Sequence, residues 1–242
     1  MTGGYLASQI RQWRIRPIIA FREYIFRDVV PQFGRLNERA DQIGNEFFEA
    51  AINQPAGEDC DGDLSGFAED AHDHALSWYE MMRSLRQTML NLLAAGLFHL
   101  TEQQLAQLGD DAGFDNRRPK EAALDEMVKW YSSVLKLDLK QLSEWPLIHE
   151  LRLVANTAKH AEGKSSGELR NLRPGLFCDP MFAEIDRAVD IRNYLVNRPV
   201  SAPLAGEGLF ITEEILEQYA VGVEKFFREI ADHFEQHEDE YY

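Results

Sequence analysis

The stretch MLNLLAAGLFHL, residues 89–100, decides the fold, because a helix formed from it is apolar on nearly every side. A helix of this kind lies buried in the middle of a bundle. The surrounding segment 66–108 has no proline and one internal glycine, Gly96, and its composition favours helix throughout. We therefore expect one very long central helix of about 60 Å, with Ser84 and Gly96 as the places where it would break.

Helical spacing of apolar residues continues on both sides of this central segment. The predicted helices cover residues 5–15, 18–30, 34–53, 120–136, 165–172, 179–197 and 212–237, together with one that starts at Trp145 and ends at Gly163. Residues 198–210 (RPVSAPLAGEGLF) are the least helical part, and there we expect an irregular arm or a small hairpin. No alternating strand pattern of useful length appears.

These patterns predict an all-α protein, an elongated helical bundle around one very long central helix. We expect a single all-α domain over residues 1–242, because no linker separates two independent units. Its N-terminal helices lie in 1–53, its core bundle helices in 66–161, and its C-terminal helices, with the arm, in 165–242.

The chain carries a strong excess of acid, with 41 Asp and Glu against 25 Lys and Arg and a net charge of −16. Such a field repels nucleic acid over most of the surface and favours a basic protein partner. Residues 1–35 are the exception, because six arginines there accompany only two acids, Glu23 and Asp28. We therefore expect a local basic patch on an acidic body.

The cysteines and the apolar runs indicate the cellular compartment of the protein. Cys60 and Cys178 lie in no CxxC or other ligand spacing, and they indicate reduced thiols in the cytoplasm. The longest apolar run, Leu92–Phe98, is far shorter than the roughly 20 residues that cross a membrane. Arginines interrupt the N-terminal segment, which lacks the apolar core of a signal peptide. We expect a cytoplasmic protein with no membrane span.

The stretch ELRLVANTAKH, residues 150–160, carries the most suggestive chemistry, because its polar residues recur every four positions and form one stripe on a helix. This polar row consists of Arg152, Asn156 and His160, with His149 one turn earlier and Lys159 on its flank. A guanidinium, an amide and an imidazole in line can hold a phosphate and move a proton. The alternative is a solvated helix face whose arginine pairs with an acid elsewhere.

Several features together resemble the HEPN superfamily, small helical bundles common in bacterial toxin and phage-defence systems. They are the long-helix layout, the Arg152 and His160 pair, the ANTAKH ending, and the final segment LFITEEILEQYAVGVEKFF at 209–227. In catalytic members an Arg and a His, four to six residues apart, meet the pair of a second protomer and cleave RNA without a metal. The resemblance implies a homodimer, RNA as substrate and no cofactor.

The resemblance also implies roles, with His160 as acid and base and Arg152 as the phosphate or transition-state contact. From their place on the polar stripe, we expect Asn156, His149 and Lys159 to be binding residues. Here seven residues separate Arg152 from His160, which sets the two side chains about 12 Å apart along an ideal helix. The competing hypothesis is therefore a non-catalytic helical module that binds a protein or a nucleotide.

Two other groups of histidines are weaker candidates. In EDAHDHA, residues 69–75, His72 and His74 would point about 200° apart on a helix, so the sequence does not favour a metal site. Asn91 and His99 lack the Glu-x-x-His partners of a di-iron bundle, and we expect them to be satisfied within the core. Alternatively, Asn91 or His99 contacts the polar row from its core side and orients the side chains of that row.

Overall fold

The computed structural model of the protein describes residues 3–53, 64–111, 124–183, 196–204 and 206–237. Every regular element in these ranges is a helix, so the predicted all-α class is confirmed. The α-helices are α1 (Gly3–Gln9), α2 (Arg16–Tyr24), α3 (Leu36–Ile52), α4 (Leu64–Asp111), α5 (Leu124–Val134), α6 (Trp145–His160), α7 (Lys164–Leu172), α8 (Pro180–Ala183) and α9 (Glu213–Gln236).

The long helix α4 organises the bundle. It runs for 48 residues without interruption, which corresponds to about 70 Å. The breaks considered at Ser84 and Gly96 do not occur. Its inward face is closely packed, since Leu97, Leu105 and Leu108 have no exposed surface. Packing of this face, rather than the propensity of single residues, stabilises a helix of this length.

The N-terminal segment is more continuous than the sequence indicates. A π-helical turn (Ile10–Arg14) joins α1 to α2, and Pro17 lies in the first turn of α2, where a proline removes no helical hydrogen bond. A second π-helical turn and a short 3₁₀ helix, Val30–Phe33, follow α2. The α-helical geometry thus ends at Tyr24, and the rest of the helix predicted over 18–30 forms a π-helical turn that gives way to the 3₁₀ helix containing Pro31.

Helices α3 and α4 form an antiparallel pair. Gly44 on α3 lies where a Cβ atom would stand 3.0 Å from the Cβ of Ala75 and 3.2 Å from the backbone oxygen of Ala71. Nearer the start of α3, Leu36 lines a cleft together with Tyr79. The two helix backbones therefore approach closely at Gly44, and only a very small residue fits there.

The last helix, α9, joins the N-terminal segment to the core. Thr212 caps it, because its hydroxyl accepts a hydrogen bond from the backbone N–H of Ile215 at 3.3 Å. Tyr219, Phe226 and Phe227 lie fully inside the core cluster that also contains α1, α4 and α6 residues. The buried face of α9 extends along most of the helix. Helix α9 therefore packs the C-terminal end of the described chain against its N-terminal segment.

The arm, residues 198–210, is irregular. Its described residues contain no strand, so the predicted irregular arm forms and the alternative hairpin does not. The backbone N–H of Glu162 donates to the carbonyl of Val200 at 3.2 Å, and that of Leu204 donates to the carbonyl of Ala158 at 2.8 Å. The arm therefore packs on the end of α6. The helix predicted over 179–197 lies mostly outside the described residues; α8 begins it.

No helix among the described ranges is both long enough and apolar enough to cross a membrane. Cys178 is buried, and its thiol lies 3.8 Å from the carbonyl of Asp179. Cys60 lies outside the described residues.

We expect Gly44→Val to lower the free energy of unfolding by about 1–3 kcal/mol, because the added side chain meets the α4 backbone at Ala71. Gly167→Ala is the control, since a Cβ at this α7 glycine meets nothing within 4 Å, and it should raise stability by about 0.5–1 kcal/mol. Urea unfolding measures both. If Gly44→Val raised the free energy of unfolding as much as Gly167→Ala does, that result would contradict the close approach of α3 and α4.

Candidate functional site

Helix α6 presents two different faces, as its sequence predicts. Leu151 and Val154 have no exposed surface and pack into the core. The helix ends at His160 because Ala161 takes a φ of 61°, in the left-handed region. The end predicted at Gly163 is therefore too late by a few residues, and His160 occupies the last helical position.

Arg152, in the middle of the polar row, is held by a carboxylate on α5. Its Nη1 and Nη2 atoms donate to Oδ1 and Oδ2 of Asp125 at 2.7 and 2.8 Å. Such two-pronged pairs are the most directional contacts that arginine makes. The Arg152 side chain is 28% exposed. A phosphate at this position would have to displace the Asp125 carboxylate.

The remaining members of the row differ in exposure. His149 and Asn156 are half-buried, whereas Lys159 and His160 are exposed in the last turn of α6. The structure thus sets His160 at the open end of the helix, two turns beyond the paired Arg152. It does not bring the two side chains together within one chain.

Glu102 of α4 lies behind the exposed end of the row. Burial raises the pKa of its carboxyl group, while a hydrogen bond from the backbone N–H of Leu124 and the charges of Lys159 and His99 act in the opposite direction. His99 itself is exposed and lies 3.0 Å from the side chain of Gln103. Helices α4, α5 and α6 therefore meet around one half-buried carboxylate beside Lys159.

Asn91 does not support the polar row. Its Nδ2 atom donates to the carbonyl of Leu209 at 2.9 Å, and its Oδ1 accepts from Gln87 at 3.1 Å. Gln87 also donates to the carbonyl of Ile211 at 3.0 Å. As expected of a buried polar residue, Asn91 is satisfied inside the core, and its specific role is to hold the arm on α4.

One histidine of the EDAHDHA stretch, His74, has a packing role. The ring of His74 stacks on Phe47 of α3 with centroids 4.7 Å apart. Across the ranges that the structure describes, no three His, Cys, Asp or Glu side chains come together as metal ligands.

A partly buried cluster that sequence reasoning missed ties α6 to α9. The hydroxyl of Tyr219 donates to Oε1 of Glu150 at 2.5 Å, and Arg173 donates to the same oxygen at 2.6 Å. Burial, followed by the adjacent Glu150 carboxylate, raises the pKa of Tyr219 above its usual range. The three residues are far apart in sequence and follow no short motif, so only the folded chain reveals the cluster.

The basic N-terminal patch is largely neutralised within the chain. Ion pairs join Arg11 to Asp232 and Glu235, Arg22 to Glu224, Arg27 to Asp28, and Arg35 to Glu38. Arg16 lies over the ring of Trp13, and Arg14 donates to Gln104 and Gln107 of α4. Gln104 and Gln107 face away from Glu102, so Arg14 lies across α4 from the polar row.

A separate cleft of about 590 Å³ lies between α4, the arm and the turn after α7. Its walls combine aromatic rings with charges of both signs. The rings are Tyr79, Phe177 and Phe210, and the charged residues are Glu80, Arg83, Arg86, Asp179, Arg198 and Glu207. Arg83 pairs with Asp179 at 2.9 Å, and Arg86 pairs with Glu213. These residues come from distant parts of the chain, and no sequence signal marks them.

No protein-family model, curated protein or solved structure matches the chain. The geometry above is therefore the basis for any functional statement.

Glu162, just beyond the polar row, anchors both α7 and the arm. Its carboxylate accepts two hydrogen bonds from Arg170, at 2.9 and 3.0 Å, and one from the backbone N–H of Val200 at 3.0 Å. The Arg170 hydrogen bonds, more than any other contact, hold the pKa of Glu162 at about 2, against an ordinary 4.5.

Because the folded state lowers this pKa, the Glu162 carboxylate stabilises the protein above about pH 4.5, and that contribution is lost as the pH falls towards 2. We expect Glu162→Gln to lower stability by about 1 kcal/mol or less at pH 7, since the side chain is largely solvated. Urea unfolding at several pH values should show the difference shrinking below pH 4.5.

Glu168→Gln is the control for this series, because Glu168 faces only a loose ion pair, 3.8 Å from a Lys164 side chain that is 91% exposed. It should change stability less than Glu162→Gln at pH 7. A Glu162→Gln deficit that grows as the pH falls would contradict the proposed anchor.

Proposed function

We propose that the protein is a non-catalytic helical binding module whose partner is another protein with a basic surface. The observation that carries this proposal is the two-pronged pair between Arg152 and Asp125. An arginine engaged in this way braces α6 against α5, and a phosphate would have to compete with the Asp125 carboxylate for it. The net charge of −16 supports a basic partner, since complementary charge speeds encounter and disfavours nucleic acid.

The cleft beside the arm is the proposed place of binding. Its volume of about 590 Å³ lies within the range of ligand and peptide sites. A lining of aromatic rings and charges of both signs suits a polypeptide segment, which brings apolar and charged side chains together. A lone phosphate fits less well, because Glu80, Asp179 and Glu207 offset the three arginines. We expect this binding to take place in the cytoplasm.

A second candidate is the HEPN-like ribonuclease of toxin or phage-defence type, acting on RNA as a homodimer without a metal. The exposure of His160 and Lys159 at the end of α6 favours it, because an acid–base residue must reach its substrate. Against it stand the pairing of Arg152 with Asp125, the position of Arg14 on the far side of α4, and the ion pairs that engage other N-terminal arginines within the chain.

RNA cleavage in the presence of a metal chelator separates the two candidates. We expect the protein to show no cleavage that depends on His160. The comparison uses His160→Ala with His72→Ala as the matched control, because both histidines are exposed at helix surfaces. Cleavage that is lost in His160→Ala and kept in His72→Ala would establish the ribonuclease in place of the binding module.

Photo-crosslinking tests the cleft. A crosslinking residue placed at Arg198, which lines the cleft, should capture one discrete basic protein, whereas the same residue at Gln42 on the exposed side of α3 should not. Glu207→Lys should weaken the capture at least tenfold, since it reverses one of the acidic charges facing the partner. Equal capture at both positions would contradict binding in the cleft.

A further inference from the structure

The end of α9 carries two histidines, His233 and His237, and they are the only histidines of the chain that lie four residues apart. Side chains at this spacing are neighbours on one side of a helix. Their imidazole rings stack with centroids 4.3 Å apart and planes 28° from parallel. Both residues are half-buried, so each keeps some surface open to solvent. The end of the helix therefore presents two imidazoles together.

A hydrogen bond fixes which nitrogen of His237 is available for binding. Its Nδ1 atom lies 2.8 Å from the backbone carbonyl oxygen of His233. A carbonyl oxygen only accepts hydrogen bonds, so Nδ1 carries a proton and donates it. In the neutral ring the lone pair then lies on Nε2, which is the atom that can bind a metal ion. Metal-binding histidines are commonly oriented in this way, by an N–H that a backbone carbonyl accepts.

Contacts with the core and with the N-terminal segment hold this end of α9 in place. Phe234, between the two histidines, is fully buried, and its ring meets that of His233 edge-on with centroids 5.9 Å apart. Arg11, in the π-helical turn after α1, pairs with Asp232 at 2.7 Å and with Glu235 at 2.6 Å. The histidine pair thus stands on a backbone that is already ordered, which lowers the entropic cost of binding a ligand.

The electrostatic surroundings of the pair favour a positive ion. The pair lies at the C-terminal end of a 24-residue helix, where the last backbone carbonyls carry a partial negative charge. The net charge of −16 attracts cations to the molecule as a whole. The neighbouring Arg11 does not oppose this, because two carboxylates offset its charge.

We propose that His233 and His237 chelate a transition-metal ion of the zinc class, with water in the remaining coordination positions. Imidazole nitrogens suit Zn²⁺ and Cu²⁺, whereas Mg²⁺ and Ca²⁺ take oxygen ligands. Two nitrogens about 2.0–2.1 Å from one tetrahedral zinc ion lie about 3.4 Å apart, so the edges of the stacked rings need to tilt together by only about 1 Å. No third His, Cys, Asp or Glu completes the set within the described ranges, and the site is therefore open.

An open site with two histidines binds less tightly than a structural zinc site with four protein ligands, and we expect a dissociation constant in the micromolar range. A bound ion links His233 to His237 and so stabilises the end of α9. The site is separate from the binding cleft. Glu213, which pairs with Arg86 of the cleft, precedes His237 by 24 residues, or about 36 Å along the helix.

Isothermal titration calorimetry of the full chain with zinc chloride tests the chelate. The parent chain should bind one Zn²⁺ at a micromolar site, and Mg²⁺ and Ca²⁺ should show no such site. His237→Ala should weaken Zn²⁺ binding at least tenfold, because it removes one of two ligands. His72→Ala is the matched control, since His72 and His74 are two residues apart and point to different sides of α4, and it should leave binding unchanged. Equal losses in both variants, or no site in the parent, would overturn the proposal.

Electron paramagnetic resonance of one equivalent of bound Cu²⁺ counts the imidazole ligands directly. The parent chain should show nitrogen couplings from two imidazoles, and His233→Ala should show at most one. A parent spectrum with a single imidazole, or with none, would show that the ion binds elsewhere and would overturn the chelate.

Metal-catalysed oxidation locates the ion on the parent chain, so the test holds even if a histidine variant folds poorly. Cu²⁺ with ascorbate oxidises the side chains that bind the ion, and peptide mass spectrometry should find the oxidation concentrated at His233 and His237. Oxidation spread evenly over the seven histidines would contradict the site. Photo-crosslinking from Arg198 should be unchanged in His237→Ala, so failure of the metal site and failure of the cleft are read separately.

Discussion

Burial of the inner side of α4 is the constraint on which the rest of the structure depends. A helix of 48 residues cannot be stable in water through local propensity alone. It is stable because different elements pack against successive parts of its length. Helix α3 covers its first half, and α6, α9 and the N-terminal turns cover its second half. Where no described element packs against α4, as around Leu92, its apolar side chains are exposed to solvent.

The order and type of the helices follow from patterns that are local in sequence. Apolar spacing predicts α3, α6 and α9, and the predicted start of the last helix at residue 212 coincides with its Thr212 cap. Boundaries were less accurate where tertiary packing decides them. The continuity across Pro17 and the end of α6 at Ala161 depend on backbone geometry that composition does not encode. The assignment of one domain to residues 1–242 stays a prediction.

The candidate site was only partly accessible from sequence, for a physical reason. The polar row itself is a local pattern on one helix, and spacing alone revealed it. Whether its arginine is available for chemistry depends on Asp125, which lies 27 residues away on α5 and faces α6 only after folding. The same holds for Glu150 and Tyr219, which are 69 residues apart. Pairings between residues so far apart in sequence leave no periodic signal. A single sequence contains no other signal from which they could be predicted.

The attachment of the arm has a consequence for the order in which the molecule assembles and opens. Its hydrogen bonds reach partners 38 to 124 residues away, namely Glu162 on one side and Asn91 and Gln87 on the other. Both sets of partners must be in place before the arm gains anything from ordering, since long loops close at an entropic cost. We therefore expect the arm to order only after α4 and the end of α6 are in place. We also expect the amide protons of the arm to exchange with solvent sooner than those of α4.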